Sequence, residues 1–414
     1  MNTTQEYMSK NINNSDILSQ KHGSPIEVFI TFLKLGLTSF GGPIAHLSYF
    51  RNELVEKRNW ISESQFAQLL AICQFLPGPA SSQLGFSIGL IRSGWLGGIA
   101  AFLAFTAPSA LLLIVFAAFL PYLSGQIGEA AIHGLKIVAF AVVTHGVLGM
   151  LRQLCPDVQR IVIATFATVI ILVMGSAIVQ LMVVGCGALA GLLFCRDIQQ
   201  NPDSKFNIPH KTISGLLLLL VFILLLFGLP FLAKVNNGYL SVADAFYRAG
   251  ALVFGGGHVV LPLLEEYVVS TGWVSQDHFL AGYGASQAVP GPMFSFSAYL
   301  GLVFSQNTGG IIAALIALIS IFLPGFLLVA GTLPFWRQVS KGVYSARAIA
   351  GVNAAVVGIL GAALYDPIFI TAIKGPIDLS IGIIAFLFLV TFRLSALYTV
   401  VWCVAASIGM TLLG

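Results

Sequence analysis

The sequence predicts an all-α polytopic membrane protein built from two inverted repeats. Composition and one duplicated set of motifs carry this prediction. Of the 414 residues, 57% are hydrophobic and 9% are charged, and the mean hydropathy is +0.92. A water-soluble domain carries about 25% charged residues. Residues 1–24 form a polar N-terminal tail without an apolar core or a small-residue cleavage site, so we expect no signal peptide there.

About thirteen hydrophobic segments follow the tail. A single crossing of a bilayer takes roughly 20 apolar residues. We therefore expect the helices themselves to insert, giving a multi-pass protein of the plasma membrane. The longest apolar runs lie at 96–120, 161–194, 213–232, 311–333 and 379–413.

Three motifs occur twice along the chain. Phe-Gly-Gly at 40–42 recurs at an offset of 214 residues, whereas Trp-x-Ser at 60–62 and Gln-x-x-Pro-Gly-Pro at 74–79 recur at an offset of 213. The copies are therefore collinear apart from one residue. Gly and Pro cost roughly 1 and 3 kcal/mol inside a helix, so the pattern predicts broken or re-entrant helices at these motifs. In transporters such breaks usually mark the substrate site.

The duplication divides the chain into four parts. The first repeat is predicted at 25–195, a connector with one extra transmembrane helix at 196–239, and the second repeat at 240–414. If six segments make up the first repeat, the extra helix reverses the second repeat relative to the membrane. Lys and Arg accumulate on cytoplasmic loops. The loop after the first Phe-Gly-Gly carries Arg51, Lys57 and Arg58, whereas its counterpart at 265–278 carries no Lys or Arg. Equivalent loops are therefore expected on opposite sides.

The charges leave two arrangements open for the motif segments of the first repeat. If 27–50 and 66–92 each cross the membrane fully, the loop that bears Arg51 lies outside. If each segment is a re-entrant hairpin, that loop lies inside with the other basic loops. We favour hairpins or half-helices that meet near the midplane, because non-helical backbone at that depth must be buried in protein or line a cavity.

The ten residues at 34–43, Lys-Leu-Gly-Leu-Thr-Ser-Phe-Gly-Gly-Pro, are followed by Gln-x-x-Pro-Gly-Pro, and the pattern returns in the second half. This pattern resembles the chromate ion transporter family, in its two-domain form, over residues from about 29 to 364. The resemblance implies two homologous halves of opposite orientation and export of chromate from the cytoplasm, which gives chromate resistance. Sulfate is the natural look-alike anion. The second copy departs from the first in having Gly257-His258 where the first has Pro43-Ile44, so the halves need not bind the anion equally.

The duplicated motifs suit the chemistry of a tetrahedral dianion. A helix N-terminus offers unpaired N–H groups and a positive dipole end, glycine lets the backbone approach closely, and proline suits the first turn of a new helix. The alternative is that these residues only kink helices for packing. The predicted substrate-binding residues in the motifs are Gly41, Gly42, Gln74, Pro77, Gly78, Pro79, Ser81, Ser82, Gly255, Gly256, Gln287, Pro290, Gly291, Pro292 and Ser295.

Two cations within apolar segments are further candidates for substrate binding. Lys34 and Arg248 each precede a Phe-Gly-Gly by six residues. An intramembrane charge is a functional hypothesis by default, and matched cations would neutralise a dianion. Snorkelling of the two side chains to the interface is an equal alternative. Arg51 has Glu265 as its counterpart and is interpreted as a cytoplasmic loop charge.

Proton coupling has three candidates. His258 lies directly on the second glycine break, and imidazole titrates near physiological pH. Asp244 and Glu265 flank the same segment and are rival proton carriers. A histidine in a helix is more often a hydrogen-bonded packing residue, and that alternative stands.

Several other functions have no support in the sequence. Five cysteines lack the spacing of a metal or disulfide framework. HExxH and Walker A motifs are missing, so neither enzyme chemistry nor ATP hydrolysis by the P-loop route is expected. No cofactor is implied, and the net charge of +4 does not suggest nucleic acid. The expected partners are an oxyanion and the lipid bilayer. The oligomeric state is open, a homodimer included.

Inverted duplication favours secondary active transport by alternating access. A passive anion channel, or a transporter of another oxyanion such as sulfate, remains the alternative.

Overall fold

The computed structural model describes residues 23–40, 42–123, 125–174, 177–195, 212–235, 238–254, 257–304, 309–335 and 343–413. Over these residues the regular structure is helical, with no strand. Six of the helices are long and apolar enough to cross a membrane. The prediction of an all-α polytopic membrane protein is confirmed. The predicted tail up to residue 22 and the connector residues 196–211 lie outside the described residues.

The first repeat starts with short helices and continues with long ones. Its helix α4 turns back on itself at Ser93 and Gly94, where Gly94 has a φ of 65°. Gly89 packs against Gly97 across this turn, so the two arms of α4, residues 80–92 and 95–119, run antiparallel. The helices are α1 Pro25–Thr38, α2 Gly42–Phe50, α3 Glu63–Phe75, α4 Ala80–Phe119, α5 Gln126–Leu154, α6 Val158–Met174 and α7 Ala177–Phe194. A π-helical turn, Arg51–Lys57, extends α2.

The second repeat follows one additional helix, α8 Thr212–Val235. Its long helix α14 continues through a π-helical turn at Leu364–Phe369 to Ile370–Ala372. The helices are α9 Tyr239–Ala251, α10 Val260–Val268, α11 Gln276–Ser286, α12 Phe296–Val303, α13 Ile311–Thr332, α14 Val343–Ala363, α15 Pro376–Val390 and α16 Ala396–Leu413.

Serine residues define where the hairpin helices begin. Ser24 accepts a hydrogen bond from the Glu27 amide ahead of Pro25, the first residue of α1. Ser62 and Gln65 form a capping box at the start of α3. Such caps satisfy amides that have no partner inside the helix, and each is worth roughly 1 kcal/mol.

The motif segments of the first repeat are re-entrant hairpins that end where they begin. The Arg92 guanidinium lies 3.3 Å from the Glu27 carboxylate and 5.1 Å from the centre of the Trp60 ring. The Gly23 amide donates to the Arg92 carbonyl at 3.1 Å. The start of α1, the start of α3 and the end of the first arm of α4 therefore meet at one face. Full crossing, the other arrangement that the sequence left open, is not what the structure has.

The second repeat has the same construction. Trp273, the counterpart of Trp60, packs edge-on against Phe304 after the end of α12, with ring centres 5.1 Å apart. Gly250 of α9 lies against the Ile321 backbone of α13, just as Gly36 of α1 lies against the backbone of α4. The duplicated sequence thus folds into two equivalent sets of hairpins.

The hairpin bases of the two repeats lie on opposite faces. The second arm of α4 leaves the base of the first repeat and α5 returns. Asp277 at the base of the second repeat binds Lys136, in the first half of α5, at 2.8 Å. We name the two sides by the charges that predominate. The basic face carries Arg51, Lys57, Arg58, Arg92, Arg152, Arg160 and Arg347, and the acidic face carries Glu129, Glu265, Glu266, Asp277, Asp366 and Asp378.

The last helices of each repeat pack on the other repeat. Helices α6 and α7 contact α14, whereas α15 and α16 contact α5. Small residues permit this close approach. Gly351 of α14 lies against Gly187 and Gly191 of α7, and Gly358 lies against Ala164 of α6. The two repeats are therefore one interlocked body, and the motif turns meet inside it.

Candidate functional site

The motif turns of the two repeats are tied to each other by backbone hydrogen bonds. The Gly78 amide donates to the Val253 carbonyl at 2.7 Å, and the Gly291 amide donates to the Ser39 carbonyl at 3.0 Å. Val253 and Ser39 are equivalent residues, each directly before a Phe-Gly-Gly. Each Pro-Gly-Pro turn of one repeat thus holds the Phe-Gly-Gly segment of the other.

A third duplicated break completes this arrangement. Pro108 and Pro324 lie inside the long helices α4 and α13. A Cβ atom on Gly291 would lie 2.9 Å from the Ser109 hydroxyl, and one on Gly78 would lie 3.0 Å from the Gly325 Cα. Contacts this close leave no room for a side chain on either turn.

Two related half-sites result. The first half-site is the 77–79 turn with Ser82, Gln83, Val253 and Gly325. The second half-site is the 290–292 turn with Ser39, Thr106, Ser109 and Ser295. In both, residues from the two repeats stand together.

In the first half-site, buried polar groups surround the start of α4. Gln83 donates from its side chain to the carbonyls of Pro77 and Gly325, at 2.9 and 3.1 Å. Its Oε1 and the Ser82 hydroxyl are buried without a hydrogen-bond partner. Because α4 begins at Ala80, the amides of its first turn have no partner inside the helix. Pro79 precedes that turn by one residue, because its ψ of 90° is not helical.

The second half-site is richer in hydroxyl groups. Ser109 donates to the Thr106 carbonyl at 3.0 Å and lies 2.7 Å from the Ser295 hydroxyl, so Ser295 is the donor of that pair. The hydroxyls of Ser39 and Thr106 are buried without a partner. His46 is buried beside them, edge-on to a phenylalanine ring at 5.4 Å.

Buried donors without a partner cost about 1–3 kcal/mol each. A bound anion, or water in its absence, would satisfy these groups. The half-sites therefore offer amides and hydroxyls to a ligand that accepts hydrogen bonds, whereas the free Gln83 Oε1 is itself an acceptor and suits a water molecule.

The two predicted cations occupy equivalent places and are both paired. Lys34 lies 3.4 Å from the Glu53 carboxylate. Arg248 binds Asp244 and lies over the Tyr267 ring, 5.0 Å from its centre. Glu53 and Tyr267 are themselves counterparts in the repeat. Each cation thus contacts the descending part of its own hairpin, not a Pro-Gly-Pro turn.

The three proton-carrier candidates occupy three separate places. His258 Nδ1 lies 2.6 Å from the Tyr283 hydroxyl and packs against Gly146 of α5. Asp244 is buried beside Arg248, with one carboxylate oxygen free of hydrogen bonds. Glu265 lines an open cleft on the acidic face.

This cleft has a volume of about 290 Å³ and is lined by Glu265, Glu266, Asp366, Ser270 and Gln180, among others. A second, smaller cavity shares the lining residues Gln180, Glu266 and Ile359 with this cleft and reaches Leu252 and Val259, on either side of the second Phe-Gly-Gly. Glu265 lies on the short helix α10 at the mouth of this cleft, outside the helices that are long enough to span the membrane. Burial, and then the neighbouring Asp366 and Glu266 carboxylates, raise the pKa of Glu265 to about 7. The cleft and the smaller cavity together extend from the acidic face towards a motif break.

Some predicted residues have surroundings different from those of their counterparts in the other repeat, and some lie outside the described residues. Gln74 is exposed, whereas Gln287 donates to the Tyr283 carbonyl at 3.3 Å. Ser81 is buried in the first turn of α4. Gly41, Gly255 and Gly256 lie outside the described residues. Within the described part of the chain, no group of three His, Cys, Asp or Glu side chains is placed to hold a metal ion.

Sequence reasoning did not identify Ser39, Thr106, Ser109 or Tyr283 as site residues. A signal for one of them existed. Pro108-Ser109 and Pro324-Gly325 are 216 residues apart, close to the offset of the other motifs, and mark a third duplicated break. Single serines or threonines in apolar runs carry no such signal.

Comparison with known proteins identifies similar chains over most of this length. The family model described as "Chromate transporter" matches residues 26–192 and 240–410. The "Chromate transport protein" of Pseudomonas aeruginosa is 29% identical over 372 residues, covering 87% of this chain and 85% of the relative. The "Probable chromate transport protein" of Synechococcus elongatus is 29% identical over 342 residues, covering 80% and 82%. No solved structure matches the chain.

Proposed function

The chain belongs to the chromate transporter family, and from that premise we propose that it is a secondary active transporter that exports chromate from the cytoplasm across the plasma membrane. Export of this kind gives resistance to chromate. The relatives from Pseudomonas aeruginosa and Synechococcus elongatus carry names that refer to chromate transport, which supports chromate as the substrate.

The pair of interlocked half-sites is the observation that carries the proposal. Each combines a Pro-Gly-Pro turn with buried hydroxyl groups that lack partners, Ser82 in one and Ser39 and Thr106 in the other. Amides, hydroxyls and the positive end of a helix dipole are the groups that bind a tetrahedral oxyanion. The chromium of chromate needs no ligand from the protein, and the oxygens of the anion need only hydrogen-bond donors.

The direction of transport follows from orientation and membrane potential. Positive residues accumulate on cytoplasmic loops, which supports the basic face as the cytoplasmic one. A dianion that leaves a negative-inside cell gains about 2.3 kcal/mol per charge for each 100 mV. The potential alone therefore favours export, and a coupled proton adds to it where the pH gradient is directed inwards.

The interlocked turns provide a means of alternating access. The Gly78 and Gly291 hydrogen bonds are equivalent bonds made by the two repeats. The two half-sites are therefore related by approximate two-fold symmetry. The cleft on the acidic face adjoins a smaller cavity whose lining includes Leu252 and Val259, which flank the second Phe-Gly-Gly. When the two sets of hairpins exchange their conformations, this cleft closes and its counterpart on the basic face opens, as in other transporters with inverted repeats.

Uptake of radiolabelled chromate into inside-out vesicles tests the proposal. We expect saturable uptake, stimulated by an imposed proton gradient or potential, and lost in the double variant Gly78→Leu with Gly291→Leu. Gly149→Leu is the matched control, because a Cβ atom there meets nothing within 4 Å. Uptake that depends on the protein but not on a gradient would identify a channel. Stronger uptake of sulfate than of chromate would identify another oxyanion as the substrate.

A further inference from the structure

The hairpin bases of the two repeats form equivalent mouths, and their charges differ in sign. We call the cluster of Lys34, Glu53, Lys57 and Arg58 the basic mouth. We call the cleft lined by Glu265, Glu266 and Asp366, together with the adjacent Arg248, the acidic mouth. Both lie beside the first hairpin of a repeat, the one whose sequence contains a Phe-Gly-Gly.

In the basic mouth, three cations share one carboxylate. Glu53 lies 3.4 Å from Lys34, 3.7 Å from Lys57 and 3.0 Å from Arg58. The Glu53 side chain is 9% exposed, whereas those of Lys34 and Lys57 are 59% and 62% exposed. The cluster therefore has a net charge of +2, with ammonium groups that water-borne ligands can reach.

In the acidic mouth, the equivalent positions have lost that positive charge. Tyr267 stands in the place of Glu53, and residues 271 and 272 are Thr and Gly where the first repeat has Lys57 and Arg58. Arg51 is replaced by Glu265, and the neighbouring Asn52 by Glu266. Arg248, the counterpart of Lys34, is neutralised by Asp244.

The acidic mouth is also large enough to admit an anion. Its volume of about 290 Å³ exceeds the needs of a single small anion, and its carboxylates line the wall. A third carboxylate, Asp366, comes from the π-helical turn after α14 and lines the same cleft. Like charges at close range disfavour an anion in such a cleft.

We propose that the basic mouth is a capture site for the oxyanion on the cytoplasmic side and that the acidic mouth is built to release it outside. The inference rests on the proposed function and adds a reason why the affinity for the oxyanion differs between the two sides of the membrane. Thermodynamics limits what the mouths can do. They change the KM on each side and the rate of release, whereas the gradient and the potential set the final distribution of the anion.

The test compares chromate transport from the two sides in proteoliposomes of defined orientation, at pH 8 so that Glu265 is ionised. For Glu265→Gln with Glu266→Gln, we expect the KM for chromate at the acidic face to fall about three- to tenfold while the KM at the basic face stays unchanged. For Lys57→Gln, we expect the KM at the basic face to rise and the KM at the acidic face to stay. Both effects should shrink at high ionic strength, because salt screens exposed charges.

Glu129→Gln is the matched control, since it removes an exposed carboxylate from the acidic face outside the cleft. Equal KM values for the variants and the wild type on both faces would overturn the inference. So would an effect of the control as large as that of the cleft variants. Failure of the proposed function looks different, because the wild type itself would then show no gradient-driven chromate uptake.

Discussion

Gly78 and Gly291 show at the scale of single residues why the duplicated turns need glycine. Their φ angles are +123° and +101°, a region that L-residues with side chains rarely adopt. Each turn also touches the other repeat, Gly78 at Gly325 and Gly291 at Ser109. The positive φ and the close contact therefore both require glycine at positions 78 and 291.

Replacing Gly291 with alanine should impair transport without preventing membrane insertion. The positive φ costs about 1–2 kcal/mol for an L-residue, and the added methyl group would press on the Ser109 hydroxyl at 2.9 Å. We expect initial chromate uptake per unit of protein to fall about tenfold or more, since about 1.4 kcal/mol is a factor of ten. Gly149→Ala, at an open position on a helix, should transport like the wild type. Equal uptake by the two variants would contradict the account.

The sequence predicts the glycines and prolines of the candidate site because their cost in a helix is visible twice. It does not identify Ser39 or Thr106, because a hydroxyl in an apolar run is unremarkable until its surroundings are known. Nor does it pair Lys34 with Glu53, since the contact depends on the return of the hairpin. The matched cations are visible in the sequence, and their partners are not.

At the scale of elements, the hairpins depend on a few polar contacts at their bases. Residue counts alone permit either a crossing or a return, because two half-helices together are as long as one span. Arg92, which binds Glu27 and lies over Trp60, joins the ends of both hairpins of the first repeat. The loop charges had favoured the same arrangement, so a rule about topology anticipated a detail of the fold.

The long-range helix pairs depend on small residues, and Gly351 provides the sharpest test. A Cβ atom at Gly351 would lie 2.0 Å from the Gly187 carbonyl oxygen. Overpacking of this kind costs about 1–3 kcal/mol, so Gly351→Leu should unfold in detergent at a lower Tm than the wild type. Gly185→Leu on α7 is the control, because a Cβ atom there meets nothing within 4 Å. An unchanged Tm for Gly351→Leu would argue against the packing of α7 on α14.

At the scale of the whole molecule, each repeat is completed by the other. The internal duplication and the extra helix α8 predicted two halves of opposite orientation, and the hairpin bases lie on opposite faces. The exchange of terminal helices, with α6 and α7 packed on α14 and α15 and α16 packed on α5, could not be predicted. The sequences of apolar helices of similar composition do not indicate which helix each one packs against. Symmetry of the fold and asymmetry of charge thus coexist in one body.

The anion site that we propose is formed by residues of both repeats, which meet at the Pro-Gly-Pro turns. Cross-linking of Ser109→Cys with Ser295→Cys tests it most directly, because these hydroxyls lie 2.7 Å apart and come from different repeats. In a background without the five native cysteines, with a protease site placed in the connector at 196–211, we expect oxidation to join the two fragments. We further expect chromate, but not chloride, to slow the reaction, and each single-cysteine variant to stay unlinked. Fragments that separate after oxidation, or a cross-linking rate that chromate leaves unchanged, would contradict the account.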